Sequence, residues 1–217
     1  MCCNFSQICN KYVKLLMGNS VINSIRKQVI SKGRGKFWFA DDFVSSGKNI
    51  SVRKALQLLT EEQMLLRISH GVYYYPKIDK TLGLGVLLPS KESVAFAVAK
   101  HAGIKLVPTG AFALNALGLS TQVQTVVAFL TNGRARQIDL GNGRYIKFFH
   151  SSSQQLFDYK SYCMILIIQA MTELGETGIN DTVRAKLKEQ VAQVSTNDFI
   201  HDIKLAPIWA QTILKEL

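Results

Sequence analysis

The chain has 217 residues, and its 26 Lys and Arg against 15 Asp and Glu leave a formal net charge of +11. Hydrophobic residues at 47% and charged residues at 19% supply enough apolar material for a core and exclude a disordered chain, while 15 Gly and 4 Pro exclude collagen-like and low-complexity classes. No apolar run approaches the roughly 18 residues of a membrane span, and the first ten residues lack the charged and apolar regions of a signal peptide, so a cytoplasmic protein with no membrane partner is expected.

Cys2, Cys3 and Cys9 crowd the N-terminus and Cys163 stands alone in an apolar stretch. Zinc sites want Cys or His in two clusters at ligand spacing, so neither a metal nor another cofactor is expected, and Cys163 reads as a small buried hydrophobe. Charge is unevenly spread: residues 1–80 carry 13 Lys/Arg against 5 Asp/Glu, whereas 81–217 carry 13 against 10. A basic surplus on one small domain is the footprint of a nucleic-acid partner, or of a solvated basic face with none. The expected division is an N-terminal extension over 1–19, read as disordered, a DNA-binding domain over 20–78 and a second domain over 79–217.

Ser20 reads as an N-cap, followed by Ile22, Ile25 and Val29 at helical spacing and by Gly33 and Gly35 as a stop. Phe37 to Phe39 reads as a short strand, and Ala40 to Ser46 as a brief second helix ending at Gly47. Ser51 caps a third helix in which Val52, Ala55, Leu56 and Leu59 share one face, with Arg53, Lys54 and Gln57 on the opposite stripe. Leu65 to Ser69 and Val72 to Tyr75 flank His70-Gly71, and Gly71 supplies the positive φ of a tight hairpin. Within Tyr73-Tyr74-Tyr75, strand alternation sends Tyr73 and Tyr75 to one face and Tyr74 to the other, for core packing and hairpin cover rather than base stacking.

This order is that of a winged helix-turn-helix, whose third helix enters the major groove. Arg53 or Lys54 then meets guanine acceptors, Gln57 pairs with adenine, and Lys48, Asn49 and Ser51 anchor phosphates; Arg67 and His70 on the hairpin complete the candidate DNA-binding set. The alternative is that the stripe is the solvent face of a domain that contacts protein instead.

Further along, Thr81 to Gly85 contains a Gly-x-Gly without the third glycine of a dinucleotide fingerprint, and no strand is expected between Pro76 and it. Ser90 caps a helix to about His101, with Val94, Ala97 and Val98 inward, and His101 reads as a partner of the helix dipole. Another helix runs from Gly110 to Leu117. Thr125–Thr131, Gln137–Leu140 and Arg144–Phe149 read as strands of a small antiparallel sheet. On it, Arg134, Arg136, Arg144 and Lys147 form either a second anionic surface or charged edges that prevent aggregation. Helices are expected over Tyr159–Leu174, Thr182–Val194 and Pro207–Leu217, with Asn180 to Thr182 as a cap. The fold class is therefore α+β, a winged helix-turn-helix followed by a mixed α/β domain with a small antiparallel sheet and C-terminal helices. No Walker motif, His-Glu-x-x-His or Gly-x-Ser-x-Gly occurs, and the adjacent His201-Asp202 makes no triad, so no enzyme is expected.

The residues Asp42-Phe43, Val52-x-x-Ala55-Leu56-x-x-Leu59 and Leu66-Arg67-x-x-x-Gly71-Val72-Tyr73 with Pro76 resemble the winged helix-turn-helix of AbiEi-type antitoxins. The segment Pro108-Thr109-Gly110-x-x-Ala113-Leu114-Asn115-x-Leu117-Gly118-Leu119-Ser120-Thr121-Gln122, followed by Leu130 to Arg134, is similar to the antitoxin domain of that family. The resemblance covers roughly residues 20–150 and is more specific in the second segment. It implies the antitoxin of a bacterial type IV toxin–antitoxin system that represses its own promoter and counters a nucleotidyltransferase-like toxin encoded alongside. The family is described as neutralising without a stable complex, so a direct toxin contact is left open. Where the family often carries Arg or Lys before Gly-Val-Tyr, this chain has His70, whose charge depends on pH.

Four readings follow. The first is a DNA-binding autorepressor with an antitoxin domain, bound to its own promoter region as a symmetric pair or as two monomers side by side. The second is a winged-helix transcription factor whose C-terminal domain senses a small ligand. A nuclease using Asp139 and its basic neighbours is the third, and a protein-binding adaptor the fourth.

Overall fold

The computed structural model describes residues 21–122 and 126–217, and the protein is α+β. The N-terminal extension, the Ser20 cap and Cys2, Cys3 and Cys9 lie outside the described residues. The chain forms two compact units, one ending at Val94 and one starting at Ala95.

In the first unit, helix α1 covers residues 21–31 and buries Ile22, Ile25 and Val29, as the spacing predicts. Strand β1 (Lys36–Phe39) leads into a 3-10 helix (Ala40–Ser46), tighter than the brief helix expected there. The Asp42 carboxylate accepts the Phe39 amide at 2.7 Å and fixes its start. Helix α2 (Asn49–Glu61) follows, then the hairpin β2 (Leu66–Ser69) and β3 (Val72–Tyr75). The sheet order is β1-β3-β2, antiparallel throughout. Val52, Ala55, Leu56 and Leu59 of α2 enter one core with Trp38, Phe43, Tyr73 and Tyr75. Tyr74 faces the other way and meets Phe37 at 4.9 Å between ring centroids. All three tyrosines are buried, which leaves none of them as a free stacking platform.

A second hairpin, β4 (Lys77–Asp79) and β5 (Gly85–Leu87), closes over the Gly-x-Gly. This corrects the expectation that no strand precedes those glycines. Gly83 and Gly85 serve the turn, with φ of +70 and +69. Helix α3 (Lys91–His101) is capped as expected, the Ser93 amide donating to Ser90 Oγ at 3.2 Å. It buries Ala95 and Ala99 beside Val94 and Val98, with Ala97 only half-buried.

The second unit is built on a four-stranded sheet: β6 (Leu106–Pro108), β7 (Val126–Thr131), β8 (Arg136–Asp139) and β9 (Tyr145–His150), in the order β6-β7-β9-β8. The sheet is mixed, which corrects the antiparallel expectation. The β8–β9 hairpin docks on β7 through β9, so β9 runs parallel to β7. Helix α4 (Gly110–Ala116) packs on α5 (Tyr162–Leu174) at a point where only glycine fits. A Cβ on Gly110 would meet Glu173 Cβ at 2.5 Å and the Gln169 carbonyl oxygen at 3.0 Å. Helices α6 (Asp181–Val191), α7 (Thr196–Asp202) and α8 (Ile208–Glu216) complete the unit. Asn180 caps α6 as expected, whereas α7 was not expected at all. Cys163 is half-buried, its thiol 3.6 Å from the Gln190 carbonyl oxygen.

Asp202 is fully buried at the end of α7 and ties this unit together. Its carboxylate accepts the Lys160 amide at 3.0 and 3.2 Å and the Ser161 amide at 2.8 Å, just before α5 begins, and lies 2.8 Å from His201 Nδ1. A buried carboxylate at the N-terminal approach to a helix is favoured by amide donors and dipole together. Next to it, Tyr159 donates to the Leu205 carbonyl oxygen at 3.1 Å. Burial, and then the Asp202 charge, push the Tyr159 phenol up to about 12.

Two outcomes follow from this corner. Asp202→Ala, which takes the buried acceptor from the Lys160 and Ser161 amides, is expected to lower unfolding free energy in urea by about 2 kcal/mol, and Asp202→Asn by less. The folded chain holds the Tyr159 proton where the unfolded chain has lost it, so the stability tied to this group is intact below the ordinary phenol pKa of about 10 and declines as pH rises toward 12. Phenolate absorbance should show one tyrosine ionising last, and Tyr159→Phe should abolish that step.

Candidate nucleic-acid interface

Helix α2 begins at Asn49, two positions before the expected Ser51 cap, because the Lys48 carbonyl already accepts the Val52 amide at 3.0 Å. Lys48 occupies the N-cap in an extended conformation (φ −63, ψ 145) and makes no side-chain cap. Ser51 is instead a half-buried residue of the first turn. With one stripe buried, Lys48, Asn49, Arg53, Lys54 and Gln57 are all exposed, joined by Ile50. No acid lies in the first turn and no base in the last, where Glu61 closes the helix.

The hairpin brings its own basic groups toward this helix. Leu66 pairs with Tyr74, Arg67 with Tyr73 and Ser69 with Val72, with a bulge between Arg67 and Ser69. Gly71, at φ +74, makes the turn. Tyr73 and Tyr75 anchor the hairpin in the same core that holds α2, so the two elements are set against each other by shared side chains. Between them lies a groove of about 380 Å³. Arg53, Gln57, Thr60 and Glu61 line one wall, Arg67, His70, Gly71 and Tyr73 the other, and Ala40 completes it. Four of the residues selected from the sequence, Arg53, Gln57, Arg67 and His70, therefore meet in one concavity. Lys48, Asn49, Ser51 and Lys54 are not among its lining residues.

The groove also contains groups that sequence reasoning missed. Glu61 contributes a carboxylate, and Gln57 Nε2 donates to its Oε1 at 3.0 Å. The four-residue spacing was the available signal, since i and i+4 are neighbours on a helix. Thr60 Oγ1 turns back to the Leu56 carbonyl at 2.8 Å. Outside the groove, Arg26 pairs with Glu62 at 2.6 Å, an exposed pair worth at most about 1 kcal/mol.

The four basic residues of the second unit do not share a surface. Arg136 faces the same side as Ile138 and Phe148, its guanidinium 5.3 Å from the Phe148 ring centroid. Lys147, between the buried Ile146 and Phe148, points to the other side of the sheet. Arg134 is exposed in the loop before β8, and Arg144 is half-buried at the β8–β9 turn with its Nε buried and unpartnered. Asp139 accepts the Gly141 amide at 2.7 Å and so serves that turn. Among the described residues, no three His, Cys, Asp or Glu side chains gather as a metal site, and no helix is long and apolar enough to cross a membrane.

The charge order on α2 opposes its own dipole, which favours acids at the start and bases at the end. Lys48→Asp supplies both a cap and the favoured charge in a backbone conformation that suits it. The expected result is a gain of about 1 kcal/mol in unfolding free energy, read from the urea midpoint.

No curated protein and no solved structure matches the chain. A family model does match it, over residues 24–199, and by that match the chain belongs to the Family of unknown function (DUF6088).

Proposed function

We propose that the chain is a DNA-binding transcriptional autorepressor, with α2 as the recognition helix and the β2–β3 hairpin as the wing of a winged helix-turn-helix. One observation carries this reading: Arg53 and Gln57 from the helix, and Arg67 and His70 from the hairpin, converge on a single exposed groove. The element order of α1, β1, a short helix, α2 and a hairpin supports this reading. The helix end that would enter a major groove is flanked by Lys48, Arg53 and Lys54 and carries no acid in its first turn. The basic surplus of residues 1–80 adds a long-range attraction to phosphate.

The second unit carries the antitoxin half of the proposal, through the resemblance of residues 108–134. Parts of that segment also have packing roles: Gly110 lets α4 approach α5, and Asn115 Nδ2 donates to the Ser120 and Gln122 carbonyls at 3.3 and 2.9 Å. The partner implied is a nucleotidyltransferase-like toxin encoded alongside. Survival of cells expressing such a neighbour only when this chain is co-expressed would support that half.

Fluorescence anisotropy on the DNA upstream of this gene, against a composition-matched scramble over a salt series, tests the DNA-binding half. The expected preference at physiological salt is about a thousandfold or more. Lys48→Ala should weaken binding to all sequences and reduce the salt slope by about one, as loss of a phosphate contact does. Arg53→Ala should relax the preference and leave the slope nearly unchanged if its guanidinium meets a base, or behave like Lys48→Ala if it meets phosphate. Equal affinity for the two DNAs overturns the specific reading.

A further inference from the structure

Ile50 sits in the first turn of α2 with 84% of its surface exposed, while Val52, Leu56 and Leu59 of the same helix are buried. One turn along the same outer face stand Arg53 and Lys54, three and four residues on. A large aliphatic side chain framed by cations gains nothing there from the core, and alanine would form the helix better. Among the described residues, Ile50 is not part of the first unit's core cluster.

Further down the face, Gln57 stands one helical turn from Glu61. Its amide nitrogen donates one proton to Glu61 at 3.0 Å and keeps the other, with Oε1, for a base edge. Glu61 itself presents a carboxylate beside the groove and is unfavourable for phosphate. The cations of α2 are concentrated in its N-terminal turns, where Arg53 and Lys54 stand beside Ile50. Of the base edges in a major groove, only thymine displays an apolar group, its 5-methyl.

Resting on the DNA-binding reading above, we infer that Ile50 is a specificity-determining residue that packs against the 5-methyl group of a thymine in each bound site. The cations beside it hold the neighbouring phosphates or guanine, and the isoleucine excludes water from the methyl. Cytosine at that position loses the contact and leaves its N4 amino group against an aliphatic surface.

The test uses the full chain and a duplex site selected by it from a random pool. Each thymine is replaced in turn by uracil, which differs only in lacking the methyl group. For the native chain, one replacement per site should weaken binding about fourfold, the value of one buried methyl. Ile50→Ala, a change at an exposed position that keeps the helix, should bind the thymine and uracil forms of that site equally. The inference is overturned if the selected site is bound with high preference and every uracil replacement is silent, or if the sensitive replacement costs Ile50→Ala as much as the native chain. If the pool yields no preferred sequence, the DNA-binding reading fails, and this inference fails with it.

Discussion

Burial of a single stripe on α2 fixes the geometry on which the candidate interface depends. Val52, Ala55, Leu56 and Leu59 are each at most 3% exposed, and a buried aliphatic side chain contributes about 1.5–3 kcal/mol, so the rotation of the helix about its axis is not negotiable. With that rotation set, a 3.6-residue period sends Ile50, Arg53, Lys54 and Gln57 to the surface together. The hairpin is held by the same core through Tyr73 and Tyr75. A shift of one residue in β3 would turn both rings out and Tyr74 in, which the core volume does not permit. The groove between helix and hairpin is thus a by-product of packing, with its walls positioned from below.

The second unit solves a different problem, in which connections rather than stripes decide the arrangement. The β8–β9 hairpin forms locally, with Asp139 and a left-handed Asn142 in its turn. Attachment to β7 through β9 then makes the sheet mixed. Helix α5 is apolar nearly all round, as suits a helix covered on several sides, and Gly110 lets α4 lie close against it. Asp202 reaches back from α7 to the residues before α5, linking segments some forty residues apart through a carboxylate that water cannot reach.

What the sequence disclosed follows the range of the physics involved. The α2 stripe, the hairpin around Gly71 and the tyrosine alternation are periodic or local, and they are legible in the residues themselves. The start of α2 was misjudged because Ser51 is a good cap in isolation, whereas Lys48 supplies the first carbonyl without any side-chain signal. Helix α7 escaped because its seven residues are too short for a clear period and its cap, Ser195, looks like loop chemistry. The parallel β7–β9 pairing depends on strand order, which no local pattern carries. At the candidate site, selecting exposed bases and amides found Arg53, Gln57, Arg67 and His70. Selecting by polarity passes over the exposed Ile50.

The charge order along α2 runs against the helix dipole. A helix stabilised for its own sake carries acid near its first turn and base near its last, each worth about 0.3–1 kcal/mol. Here Lys48 stands at the start and Glu61 at the end. The dipole argues against this arrangement, and tertiary burial of the apolar stripe overrides it. The cations at the start add to the positive end of the dipole instead of cancelling it, so the field at the exposed N-terminal turns is stronger than either source alone. Such a field is unfavourable to the isolated protein and favourable only when an anion lies against it. At the far end Glu61 supplies the opposite charge, so the positive field falls away along the helix. Stability given up at one end of the helix is recovered from the core beneath it, where Val52, Ala55, Leu56 and Leu59 are buried.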